Sequence, residues 1–260
     1  MSSSIGRPRS TDRNTLPWIS EEAKREIIRL LGPRAIPNLE WLRNVTGRPS
    51  SAILSAVDEA VGLTDLERSV ARAVERSGRS NYAQFPAPLD LYVVARVSRP
   101  LHVVESGVSS GLSSAHLLMA IKRNGHGTLH SIDFPRHQKQ DKRIRGEASW
   151  SIPPGKDSGW AIPTPLRRGW DLRQGRSEDI LPPLVDELPA VDLFCHDSPW
   201  TPAHLSFEFE TVRPKLGSGS IIVADNADVN PNAVTTLAGA CSARVWHRGS
   251  SSGLVGILVP

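Results

Sequence analysis

Through the first hundred residues apolar side chains recur three and four positions apart, whereas after Pro100 they gather into short unbroken runs. The first pattern belongs to helices that bury one stripe, the second to strands covered on both faces. Ser20 stands as an N-cap before Ala23, Ile27, Leu30 and Leu31, and Gly32-Pro33 stops that helix. A second helix is predicted through Ala52-Ile53-Leu54 to Val61, closed by Gly62. A third opens on Thr64-Asp65-Leu66-Glu67, a capping box in which hydroxyl and carboxylate each satisfy a backbone amide, and Leu66, Val70 and Val74 carry it to Gly78. A fourth is predicted over 89–97.

Beyond Pro100, strands are predicted at 101–104, 128–132, 170–173, 191–196, 221–224 and 254–259. Between them lie helices at 113–123 and 178–188 and one opened by Thr201-Pro202, with proline in its first turn. Strands alternating with helices make βαβ units, so the expected class is α/β: a Rossmann-like, mostly parallel sheet with helices on both faces. The chain then divides into a polar tail over 1–17, a helical cap or lid region over 18–99 and the sheet domain over 100–260. Tyr82, Gln84 and Phe85, and the loop 134–163 with Trp150 and Trp160, are placed to close over a ligand. Trp18 and Trp41, if exposed, would support a homodimer.

Composition narrows the function. The 260 residues carry 31 Lys and Arg against 27 Asp and Glu, a net charge of +4, and the arginines are scattered rather than striped, which speaks against nucleic acid. No apolar run approaches the roughly 20 residues of a membrane span, and the N-terminus has no apolar core of a secretory signal. Two cysteines, Cys195 and Cys241, make no disulfide framework; Cys195 lies in an apolar run as a buried strand residue. The expected setting is the reducing cytoplasm.

In parallel sheets ligands bind outside the carboxyl ends of the strands, so those ends carry the chemistry. The first ends in Glu105-Ser106-Gly107-Val108-Ser109-Ser110-Gly111, small residues that let the backbone turn sharply. No Lys follows the second glycine, which excludes a P-loop, and Ser109 and Leu112 stand where a dinucleotide fingerprint needs glycines. An acid before such a turn favours a ligand with a positive group over a pyrophosphate, which also counts against a nicotinamide oxidoreductase. The second strand ends at Asp133, placed to accept from both hydroxyls of a ribose or else to order the loop. The fourth ends in His196-Asp197-Ser198 and the fifth in Asp225-Asn226. Two acids at one edge repel unless a cation sits between them; Asp197, Asp225 and Asn226 offer only oxygen, which suits Mg²⁺, Ca²⁺ or Mn²⁺. The alternative is that Asp225-Asn226 cap a turn and Asp197 faces substrate directly. A two-histidine iron site from His196, His204 and Asp197 has nothing to fix both imidazoles on one ion.

Together these strand ends resemble the class I S-adenosylmethionine-dependent methyltransferases, over roughly 100–260, with the texture of the small bacterial members. The family's acidic-x-Gly-x-Gly-x-Gly motif appears here with Ser109 in place of the middle glycine. The resemblance implies S-adenosylmethionine as cofactor: Glu105, Gly107, Ser109 and Gly111 at its methionine end, Asp133 on the ribose, Ser177 and Glu178 near the adenine, and Asp197 beside the transferred methyl. Asp197 with Asp225-Asn226 further resembles the cation-dependent O-methyltransferases and implies a divalent ion, Mg²⁺ first. Those of the catechol type carry a lysine base three residues after the first Asp; here that position is Trp200, which leaves Asp197 or His196 to take the proton. The implied activity is metal-assisted O-methylation of a small, secondary-metabolite type molecule. Metal-independent N- or C-methylation and a non-catalytic cofactor-binding protein are the alternatives.

Overall fold

The strands order themselves β3-β2-β1-β4-β5-β7-β6 in one sheet of the computed structural model, which describes residues 19–77, 85–134, 152–153, 155–199, 201–249 and 253–260. They are β1 (His102–Ser106), β2 (Thr128–Asp133), β3 (Trp170–Gln174), β4 (Leu193–His196), β5 (Ile221–Ala224), β6 (Arg244–His247) and β7 (Val255–Leu258). The first five run parallel; β7 pairs antiparallel with β5 and with β6. The chain therefore reverses direction on both sides of β1, leaving a crevice where β1 and β4 end.

Alternation along the strands sorts the core into two layers. Val103, Leu129, Leu193, Cys195, Ile221 and Val223 face one side, which α2 (Leu39–Thr46), α3 (Ser50–Val61), α4 (Thr64–Arg76), α5 (Pro88–Ser98) and α6 (Leu112–Asn124) cover. Val104, Ile132, Phe194, Ile222 and Ala224 face the other, under α7 (Ser177–Glu187), α8 (Pro202–Val212) and α9 (Pro231–Ala240). The N-terminal helices thus share one core with the sheet. Residues 89–95 of α5 are all buried, so that helix has no wet face: it lies between α3 and α6. The first helix, α1 (Glu21–Leu31), begins as expected, with Ser20 Oγ accepting from the Ala23 amide.

Three expectations change. The helix at 64 takes Leu63 as its N-cap, and Thr64 is already helical, so no capping box forms. Glu67 instead turns inward, fully buried, with His116 Nε2 of α6 3.6 Å from its Oε1. Trp41 is also internal: it is buried and its Nε1 donates to the Trp246 carbonyl (2.9 Å), so it offers no surface to a second copy. Its seat exists because Gly256 of β7 lacks a side chain; a Cβ there would come within 2.9 Å of the Trp41 ring and into Val45. Helices α2 and α9 and strand β6 were not evident from the pattern. Phe85 is buried in the shared core, while Trp18, Tyr82, Gln84, Trp150 and the tail lie outside the described residues.

Trp41→Ala removes the ring that joins α2 to the β6–β7 hairpin. The expected loss is about 3–5 kcal/mol, the range for emptying a large aromatic site, read as a lower urea midpoint with unchanged slope.

Candidate active site at the carboxyl edge of the sheet

The turn after β1 is held by its neighbours. Gly107 has φ +92°, and a Cβ there would run into the Asp197 carbonyl, so β1 and β4 approach closely only because this residue is glycine. The Gly107 amide donates to Ile132 (2.9 Å) and the Asp197 amide to Ser106 (2.8 Å), which lock the ends of β1, β2 and β4 together. Ser109 takes a left-handed φ of +48°, and its buried hydroxyl has no hydrogen-bond partner among the described residues. Gly111 caps α6 at φ +94° and lies against Ile162 and Gly159, residues of the segment after the long loop.

Four carboxyl groups gather at this edge. Glu105, fully buried on the α6 side, accepts from Ser114 (2.6 Å) and Ser131 (2.7 Å) through Oε2, while Oε1 has no hydrogen-bond partner among the described residues. Asp133 accepts from the Val108 amide (3.1 Å) and from the Ser158 hydroxyl. Burial pushes Glu105, Asp133 and Asp225 above the usual carboxylate range. Asp197 goes furthest: burial raises it well above that range, and the nearby charges of Asp225, Glu105 and Asp133 raise it again. Mutual repulsion of this kind is relieved by a proton or by a cationic ligand.

The α8 side of the same strand ends is built differently. Glu208 of α8 is fully buried and accepts from His196 Nδ1 (2.6 Å) through Oε2. Its Oε1 accepts from Ser106 (2.5 Å), Ser198 (3.0 Å) and His204 Nε2 (2.9 Å). Burial alone would raise its pKa, yet the two imidazoles hold it well below the usual range. Burial opposes charging His204, but Glu208 and then Glu178 raise its pKa above the ordinary imidazole value. One carboxylate thus ties α8 to the ends of β1 and β4.

The predicted residues distribute as follows. Glu105, Gly107, Ser109, Gly111, Asp133, Asp197, Asp225 and Asn226 all stand at the carboxyl ends of β1, β2, β4 and β5. Ser177 opens α7 with its hydroxyl 3.1 Å from His204 Nε2, and Glu178 beside it is half-exposed against Arg176. His196 points under α8 onto Glu208 and the Phe209 ring and is only 1% exposed, so of the two expected proton acceptors it is the one turned away from the strand mouth. Asn226 Nδ2 donates to Asp225 Oδ2 (3.2 Å). Among the described residues no three His, Cys, Asp or Glu side chains are arranged to hold a metal ion; the expected ligands Asp197, Asp225 and Asn226 bring two carboxylates and one side-chain amide oxygen. That set is all oxygen and fits a hard ion. Trp200 lies outside the described residues. Glu208, Ser158 and Phe134, half-exposed just after Asp133, escaped the sequence reading.

This strand order, with its acid-to-glycine turn after β1 and an acid ending β2, is the architecture of the class I methyltransferases. Residues 104–227 match the family model described as a methyltransferase domain. Among solved structures, a candidate O-methyltransferase from Klebsiella pneumoniae is similar at 16% identity and a TM-score of 0.52, over 75% of this chain and 89% of that one. The O-methyltransferase from Bacillus cereus, solved with S-adenosylhomocysteine, is similar at 13% identity and a TM-score of 0.50, over 80% and 100%. At such identities they speak for the fold. No curated protein matches the chain.

Two measurements check the electrostatics. His204 with its raised pKa stabilises the fold fully below the ordinary imidazole range and loses that contribution as pH rises through the raised value; Glu208, depressed, contributes above the ordinary carboxylate range. Glu208→Gln is therefore expected to cost about 3–5 kcal/mol near pH 6, as for a broken buried pair, and to flatten the decline in stability between pH 6 and 8. Asp197→Asn should act in the opposite sense. With its charge gone from a crowded edge, the unfolding temperature at pH 8 rises by about 2–4 °C, the equivalent of 1 kcal/mol in a domain of this size.

Proposed function

We propose that the chain transfers the methyl group of S-adenosylmethionine to a hydroxyl of a small molecule, with a hard divalent cation at Asp197, Asp225 and Asn226. The observation that carries this reading is the convergence of Glu105, Asp133, Asp197 and Asp225 on one edge, all above the usual carboxylate range. The donors to Glu105, Asp133 and Asp225 are serine hydroxyls, a backbone amide and the Asn226 side-chain amide, all neutral, which leave the negative charge for a cationic ligand. The names of the similar structures point the same way: both are given as O-methyltransferases.

The cofactor supplies an electrophilic methyl on a sulfonium. Displacement is in line, so the chain's main task is alignment. The turn 106–111 receives the methionine end, where the Ser109 hydroxyl and Glu105 Oε1 are available to it. Asp133 and Phe134 offer an acceptor and an aromatic face to the nucleoside. Asp197 stands beside the reacting hydroxyl and takes its proton. A cation held with Asp225 and Asn226 would lower the pKa of a coordinated hydroxyl. Cys195 and Cys241, both free, suit a reducing, cytoplasmic setting, and no described helix is long and apolar enough to cross a membrane.

A second reading, metal-independent transfer, draws on Arg34 and His196, whose charges already favour the ionised form of Asp225. Calorimetry with S-adenosylhomocysteine, with Mg²⁺ and again with chelator, decides between them. Micromolar binding that chelator weakens is expected. Binding indifferent to chelator supports the second reading, and no binding in either condition sinks both.

A further inference from the structure

Both oxygens of Asp133 are already engaged. Val108 N donates to its Oδ1 (3.1 Å) and the Ser158 hydroxyl to its Oδ2. A ribose diol that bonds to both oxygens therefore meets a protein donor at each.

These donors are not equally replaceable. Val108 lies in the turn pinned by Gly107 N to Ile132 O (2.9 Å) and Gly111 N to Val108 O (2.8 Å). Moving its amide moves a strand end. Ser158 is held through one rotatable side-chain bond. The segment that carries it is seated independently of that bond: Gly159 N donates to Ser109 O (2.8 Å) and Ala161 N to Ser110 O (3.1 Å). Arg167 fastens it from below, donating to the carbonyls of Ile162 (3.1 Å), Gly159 (3.0 Å) and Trp160 (3.2 Å). Ser158 itself is 2% exposed, so its hydroxyl is a buried occupant of the acceptor.

We propose that Ser158 sets the affinity of this site for its nucleoside: its hydroxyl stands in for one ribose hydroxyl on Asp133, and the ligand's diol competes with it. The inference rests on the cofactor reading above and adds to it a determinant that weakens binding. With the serine in place, binding exchanges one hydrogen bond for another. Without it, a buried carboxylate oxygen waits unpaired and the ribose satisfies it.

The test is calorimetry with S-adenosylhomocysteine as the probe, on the full chain and on Ser158→Ala, with Lys156→Ala as a control in the same segment away from Asp133. The alanine variant is expected to bind roughly three- to tenfold more tightly, the range of one exchanged hydrogen bond, and the control to bind as the unmodified chain does. Equal or weaker binding by Ser158→Ala overturns the proposal, because the hydroxyl then supports the site. Should that variant fail to fold, Ser158→Gly, which also lacks the hydroxyl, carries the same expectation. Failure of the unmodified chain to bind the probe would instead remove the cofactor reading on which the proposal stands.

Discussion

The arrangement depends on the crowding of carboxyl groups where parallel strands end. Parallel order brings the carboxyl termini of β1, β2, β4 and β5 to one edge, and Glu105, Asp133, Asp197 and Asp225 arrive with them. Charges withdrawn from water this far need partners, and the groups bonded to the first two are neutral: Ser114, Ser131, Ser158 and backbone amides. Lysine or arginine in those places would satisfy the acids and close the site to a cation. Serine orients each carboxylate and leaves its charge uncompensated.

The other face of the same strands shows what compensation looks like. One step along β1, from Glu105 to Ser106, crosses the sheet, and the polar groups there find Glu208 between two imidazoles. Glu105 and Glu208 are both fully buried, yet their pKa values move in opposite directions, because only the second has cationic neighbours. Strand alternation thus keeps a charged clamp that fixes geometry apart from a charged edge that awaits a ligand.

That division explains what the sequence made legible. A strand end is local: apolar run, acid and glycine turn lie within ten residues, so Glu105, Gly107, Asp133, Asp197 and Asp225 could be picked out with the strands they terminate. Glu208 could not. It sits between Phe207 and Phe209 on a helix, where a carboxylate has no local mark separating a wet face from a buried clamp. Ser158 was hidden for a related reason, since its contact with Asp133 spans a long insertion without periodicity. Glu67 misled in the other direction: Thr64 and Glu67 have capping spacing, but the tertiary demand for a partner to α6 turned the glutamate inward. The last strands were half legible, because β7 is an apolar run whereas β6 (Arg244–His247) has exposed polar ends.

The N-terminal helices follow from the same reasoning about faces. A doubly covered sheet needs a helical layer on each side, and α6 alone cannot cover β1, β4, β5 and β7. Trp41 and Val45 of α2 close over Gly256, and α5 fills the space between α3 and α6. These helices act on the site through packing: Glu67 of α4 meets His116, one turn into the helix that opens from the glycine turn. A change in how α4 seats would reach Gly111 through α6 as a rigid rod. The sheet edge supplies the chemistry, and the helical layer behind it fixes where the turn at 107–111 can stand.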